Sequence, residues 1–134
     1  MILAIQQFFS SSAYAVIGAS NNRTKYGNKV LRCYMQHHYT VYPVNPNEPV
    51  IEGLNTIANL ADLPDEVHSI SIITPPTITE KIIEQAIAKN IKHIWMQPGA
   101  ESSAAIQACE RHGINLIAGG PCILVQLGFK ETGD

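Results

Sequence analysis

The sequence predicts an α/β domain, a doubly wound and mainly parallel sheet of five or more strands with helices on both faces. Three observations lead there. Short apolar runs recur along the chain, at Ala13–Ile17, Thr40–Val44, Ser69–Ile73, His93–Met96 and Ile114–Ile117. Stretches with apolar residues at helical spacing lie between several of them. No linker or low-complexity segment breaks the alternation, so the strands are joined by short, right-handed crossovers. The 134 residues fit one domain spanning positions 1–134, large enough to bury a core.

Taken in order, Ile2 to Phe9 reads as a covering helix within residues 1–12. Ala13–Ile17 ends in Gly18, the signature of a buried strand. Tyr26, Val30, Leu31, Tyr34 and Met35 repeat at helical spacing. Thr40–Val44 is the second strand, and Pro43 marks where pairing stops or an edge begins. A looser stretch follows, with a short helix expected around Ile57 to Leu60 before Pro64.

Ser69–Ile73 is the third strand and ends at Thr74-Pro75-Pro76. Thr77 and Glu80 fit a capping box, in which hydroxyl and carboxylate each satisfy a free amide. The helix beyond carries the apolar stripe Ile78, Ile82, Ile83, Ala86 and Ile87, and Asn90 can end it in a left-handed turn. His93–Met96 is a fourth strand, Ser103 to His112 a helix closed by Gly113, and Ile114–Ile117 a fifth strand. Pro121 to Phe129 is expected to add a last edge strand.

Composition narrows the function classes. Hydrophobic residues at 46% and charged residues at 15% describe a globular chain rather than a disordered one. No apolar run approaches the roughly 20 residues that span a bilayer. Met1–Ile5 is apolar, but Gln6 and Gln7 interrupt it and no basic residue precedes it, which argues against a signal peptide. Cys33, Cys109 and Cys122 are scattered without metal-ligand spacing, so buried thiols in the cytoplasm are expected. His37 and His38 sit at a helix end, where a cation suits the dipole. His68, His93 and His112 have no carboxylate at metal-ligand spacing, and no metal is expected.

A net charge of −2 argues against a general nucleic-acid binder. Its distribution is uneven. Arg23, Lys25, Lys29 and Arg32 all precede the first acidic residue, Glu48. A locally positive region around the first loop suits a polyanionic ligand; the alternative is a solvated basic helix face.

In a doubly wound sheet, ligands bind beyond the carboxyl ends of the strands near the topological switch point. The loops to read therefore follow Ile17, Val44, Ile73 and Met96. In the first, Gly18 lets a phosphate approach the main chain, Ser20 offers a hydroxyl, and a helix starting near Thr24 or Lys25 presents free amides. Arg23 and Lys25 can add charge-assisted contacts. The dinucleotide fingerprint G-x-G-x-x-G is absent, as are the P-loop pattern and an acidic residue at the end of the second strand. NAD binding and ATP hydrolysis both lose weight.

The combination Ala15-Val-Ile-Gly-Ala-Ser20, Tyr42-Pro-Val-Asn-Pro46, Thr74-Pro-Pro76 and Trp95-Met-Gln-Pro-Gly99 resembles the stand-alone CoA-binding domain proteins. These are similar to the CoA-binding amino-terminal domain of the succinyl-CoA synthetase alpha subunit. The resemblance runs from about Ala13 to Leu124 and implies a Rossmann-like fold with coenzyme A as ligand. It implies further that Gly18, Ala19 and Ser20 meet the CoA phosphates, with Arg23, Lys25 and Tyr26 nearby. Pro43, Val44 and Asn45 would border the adenosine, Thr74, Pro75 and Pro76 would line the same cleft, and Gln97 would face its far side. Synthetase-type loops are richer in glycine, and their lysine near the second strand has Asn47 or a neighbour here, which leaves Arg23 and Lys25 as substitute anchors for the 3'-phosphate. The synthetase phosphohistidine belongs to a second domain.

Against this reading stand simpler structural roles. Pro75-Pro76 sets a strand-to-helix turn, Trp95 belongs to the core, and Cys122 after Gly119-Gly120-Pro121 is a buried thiol, the alternative being a reactive one if exposed near a loop. No catalytic dyad or nucleophile elbow is present, and no acidic residue falls in the first two ligand loops to act as a base. The expected function is a non-catalytic binder of CoA or acyl-CoA, with neither nucleic acid nor membrane as partner. The alternatives are a CoA- or NAD(P)-dependent enzyme, or an interaction module that keeps the fold without ligand.

Overall fold

A computed structural model describes residues 1–131, so the last three positions of the expected 1–134 domain lie outside the described residues. Helix α1 (Ile2–Phe8) leads into strand β1 (Tyr14–Ile17), helix α2 (Tyr26–Gln36) and strand β2 (Val41–Val44). A small hairpin of β3 (Val50–Ile51) and β4 (Leu54–Asn55) follows, then a 3-10 turn at Leu60–Asp62. The chain continues through β5 (Ser69–Ile72), α3 (Pro76–Ala88), β6 (His93–Met96), α4 (Ser103–Arg111), β7 (Asn115–Ile117) and α5 (Ile123–Leu127).

The main sheet has the order β2-β1-β5-β6-β7, and every pairing in it is parallel. Strand order reverses at β1, which pairs with β2 on one side and β5 on the other, Ile17 lying opposite both Val44 and Ile72. This is the expected Rossmann-like, doubly wound α/β architecture. The reversal parts the loops that follow β1, β2 and β5, which opens the crevice in which such sheets hold ligands.

Burial on both faces explains the near-continuous apolar strands. Alternation along each strand then divides the core. Ala15, Ile17, Ile70, Ile72, Ile94 and Met96 face one side, packed by Ile83 and Ala86 of α3 and Cys109 of α4. Tyr14, Val16, Trp95 and Ile117 face the other, beneath Phe8 of α1, Leu31 and Tyr34 of α2, and Ile123 of α5. Trp95 is fully buried, as expected, with the Phe8 ring edge-on at 5.2 Å. The second face also carries polar groups, each with a partner. Tyr34 Oη and Ser71 Oγ lie 2.6 Å apart, and Ser11 Oγ meets Ser69 Oγ.

Several local expectations need correction. The helix expected at Ile57 to Leu60 is a 3-10 turn shifted to Leu60–Asp62, because Ile57 bridges Val44 as a short parallel extension of β2. The capping box at Thr77 and Glu80 does not form. Pro76 starts α3, since a proline needs no amide partner in a first turn. Glu80 instead accepts from Ser102 Oγ at 2.7 Å, and Thr79 Oγ1 lies 2.8 Å from Thr74 Oγ1. The expected edge strand at 121–129 is helix α5, stopped by Gly128 at φ 83°. Asn90 does end α3 in the left-handed region, at φ 62°. No helix among the described residues is long and apolar enough to cross a membrane.

Candidate functional site

Three loops meet at the switch point, and glycine chemistry sets their spacing. Gly18 leaves β1 at φ +94°, a conformation costly for other residues. Its amide donates to Val44 O at 3.3 Å, so the loop stays paired to the end of β2 as it turns. The first turn of α2 then comes back against it. A methyl group on Gly27 would lie 2.0 Å from Gly18 O, so α2 can start here only because position 27 has no side chain. The sequence lacks the dinucleotide fingerprint, yet Gly18 and Gly27 do two of its jobs, the tight turn and the close helix-to-strand approach.

The result is a cradle of donors. Among the described residues, the backbone amides of Ala19, Ser20, Tyr26 and Gly27 have no hydrogen-bond acceptor. Lys25 is the N-cap of α2, in extended conformation and with no side-chain cap, and no acidic residue sits in that first turn. Free amides and the positive end of an uncapped helix are groups that can hold an anion. Ser20 Oγ accepts from Asn22 N at 3.0 Å, which leaves its hydrogen to donate outward.

Asn45 ties the second loop to the first. Its Nδ2 donates to Ala19 O at 2.8 Å, while its Oδ1 accepts from the amides of Asn47 and Glu48 at 2.7 and 3.0 Å. Beside it lies a cleft of about 210 Å³ whose walls include Gly18, Val44, Asn45, Leu60 and Thr74. A larger depression of about 490 Å³ runs along α2 from Arg32 and Glu52 to Met35 and His38, and none of the loops that follow β1, β2 and β5 lines it. Topology, rather than size, picks out the smaller cleft.

The remaining expected residues separate into two groups. Thr74 lines the cleft, Pro75 is the exposed N-cap of α3 and Pro76 opens that helix. Pro43 is buried, its carbonyl accepting from Ile57 N at 2.9 Å. Tyr26 is exposed, with Lys29 Nζ 5.7 Å from its ring centroid. Gln97 turns inward. Only 3% exposed, it accepts from Ile123 N at 2.8 Å and donates to Cys122 Sγ at 3.3 Å, which anchors the start of α5.

Two residues that sequence reading passed over organise the loop. Asn28 is fully buried; its Nδ2 donates to Ser20 O and to Glu52 Oε2, both at 2.9 Å, and its Oδ1 accepts from Arg32 Nε at 2.6 Å. Glu52 reaches over from the β3–β4 hairpin and also pairs with Arg23 Nε at 3.2 Å. Farther down α2, Glu131 approaches Lys29 at 3.9 Å and Arg32 at 3.6 Å. The basic cluster that stands alone in sequence is thus partly answered by carboxylates in space. Only the two-residue turn signal at Glu52-Gly53 marks the hairpin in the sequence.

Comparison with known proteins bears on the fold and the family. A solved structure of a conserved hypothetical protein from Pyrococcus furiosus is 36% identical, with a TM-score of 0.81, covering 85% of this chain and 97% of that one. A hypothetical protein from Pyrococcus horikoshii OT3 is 26% identical with a TM-score of 0.86, covering 93% and 87%. The ADP-forming acetate–CoA ligase I of Archaeoglobus fulgidus is 26% identical over 123 residues, which is 84% of this chain and 18% of the ligase. The alpha subunit of the ADP-forming acetate–CoA ligase II of Pyrococcus furiosus is 29% identical over 91 residues, 67% of this chain and 20% of that subunit. The chain therefore spans about a fifth of the length of these ligase sequences. Over residues 12–128 it matches the model of the CoA binding domain, and it belongs to that family.

Proposed function

We propose that this protein binds CoA or acyl-CoA without itself catalysing a reaction. The phosphates rest on the amides of Ala19 and Ser20 and on the start of α2, and the adenosine enters the cleft between Val44, Asn45 and Thr74. The observation that carries this reading is the pair of glycines, Gly18 and Gly27, that holds unsatisfied amides open at the switch point. Such a cradle takes an anion, and the family supplies its chemical class. Ser20 Oγ and Lys25 Nζ add a donor and a charge at its rim.

The absence of catalysis rests on the same residues. The Glu52 carboxylate is engaged by Arg23 and Asn28 rather than directed at the cleft. A general base must reach the proton that it abstracts. The ligase relatives carry most of their length outside the matched segment, and their chemistry is assigned here to those other parts.

Calorimetric titration with CoA, acetyl-CoA and NAD tests the reading directly. CoA and acetyl-CoA should bind more tightly than NAD, and CoA should raise the melting temperature by mass action. Equal affinity for NAD, or no binding of CoA, overturns the assignment. Turnover of acetyl-CoA by the purified protein overturns the non-catalytic part alone.

A further inference from the structure

Glu52 holds an unusual position. It is the first central residue of the two-residue β3–β4 turn and sits at φ 50°, followed by Gly53 at φ 80°. Positive φ at both central positions matches a type I′ turn, where asparagine, aspartate or glycine is favoured. A glutamate there costs backbone energy that its contacts must offset. Those contacts all run to the phosphate loop or the helix behind it. Asn21 Nδ2 donates to Val50 O at 3.0 Å, and Asn28 Nδ2 and Arg23 Nε converge on the same Glu52 oxygen. Ile51, between them, is fully buried beneath α2. The hairpin is fastened onto the loop by the Glu52 carboxylate and by the Asn21–Val50 hydrogen bond.

We propose that Glu52 is an internal anion that competes with a ligand phosphate for Arg23, and so sets the affinity of the site. The inference rests on the CoA-binding reading above. Arg23 belongs to the loop that leads into the amide cradle, and its pairing with Glu52 is half-exposed, the two side chains being 48% and 20% accessible. An exposed pair of this kind is weak and exchanges readily. A phosphate that arrives on the Ala19 and Ser20 amides offers Arg23 a more highly charged partner. The guanidinium then swings from carboxylate to phosphate, while Asn28 retains Glu52. Ligands with fewer phosphate charges draw Arg23 away less, so Glu52 weakens the binding of CoA more than that of dephospho-CoA.

Calorimetry on the full-length Glu52→Gln protein tests this, because the amide keeps an acceptor for Asn28 and removes the charge. CoA should bind about three- to fivefold more tightly than to the wild type, the range expected when a weak surface pair no longer has to be broken. The gain for dephospho-CoA should be smaller. In an Arg23→Ala background the Glu52→Gln effect should vanish, because the competition needs the guanidinium. Equal or weaker CoA binding by Glu52→Gln overturns the competition. A gain that persists without Arg23 also overturns it, since that result reports simple repulsion of the ligand by Glu52. Failure of both wild type and variant to bind CoA overturns the CoA reading, and this inference with it.

Discussion

Gly27 stands so close to Gly18 that a methyl group on it would lie 2.0 Å from the Gly18 carbonyl oxygen and 3.1 Å from the carbonyl carbon. Both obstructing atoms are backbone, so relief requires moving either the end of β1 or the start of α2. Gly27→Ala should therefore destabilise the protein by about 3 kcal/mol, the upper end for overpacking, despite the better helix propensity of alanine. Urea denaturation measures it; an unchanged midpoint would show that α2 can slide without cost.

At Gly18 the obstacle is different. A side chain would meet Thr74 Cγ2 at 3.3 Å, a contact that can yield, but the backbone would be held at φ +94°. Gly18→Val should leave a folded, less stable protein that no longer binds CoA, with circular dichroism as the folding control. Ser20→Ala should be milder. It loses about 0.5 to 1.5 kcal/mol of binding for one hydrogen bond, or up to about 3 against a charged phosphate. Wild-type affinity in folded Gly18→Val places the ligand elsewhere.

Asn28 joins three segments, the first loop, α2 and the β3–β4 hairpin, through one buried amide. Its replacement by alanine leaves Ser20 O without its donor, Glu52 without one of its two donors, and the buried Arg32 without an acceptor for Nε. Because Arg32 is charged and only 4% exposed, Asn28→Ala should cost about 3 kcal/mol of stability. A loss below about 1 kcal/mol would mean that water replaces the side chain at all three partners.

Alkaline pH should unfold the protein early. Burial pushes the Tyr14 phenol and the Cys33 thiol up to about 12 and the Cys109 thiol up to about 11. Burial also holds Tyr34 well above the ordinary phenol value, outweighing its hydrogen bond to Ser71. These groups keep their protons in the folded chain after the unfolded chain has released them. Their contribution is therefore intact below about pH 9, where the unfolded thiols still carry protons, and falls as pH rises toward 12. Each group so held removes about 1.4 kcal/mol per pH unit in its window. Urea midpoints compared at about pH 8 and about pH 10.5 should drop steeply; equal midpoints contradict the burial of these groups.

What could be read in the sequence follows from where each element gets its stability. The strands of the main sheet are buried on both faces, so their apolar runs are visible without knowledge of their partners. The β3–β4 hairpin has two residues per strand, too few for any periodicity to register. Helix α5 was hidden for another reason. Ile123-Leu124-Val125 favours a strand locally, but Gln97 caps the Ile123 amide from a distant loop and Trp95 Nε1 donates to Pro121 O at 3.0 Å. Tertiary contacts override propensity there. At the switch point, the glycine after the first strand marks the turn out of β1, where Gly18 sits at φ +94°. The partners of that loop, Asn28 and Glu52, depend on contacts across the fold that no local pattern records.

Trp95 has one further consequence. It is the single tryptophan of the chain, sealed on the sheet face covered by α1, α2 and α5, while the cleft opens against residues of the opposite face. The protein's intrinsic emission therefore comes from a chromophore screened from the binding site proposed above. Detachment of α1 or α5 would expose the indole to water and shift its spectrum, whereas a nucleotide entering beside Val44 and Thr74 would leave it nearly dark to the event. Fluorescence is thus a clean optical gauge of folding in this domain and a poor one of occupancy.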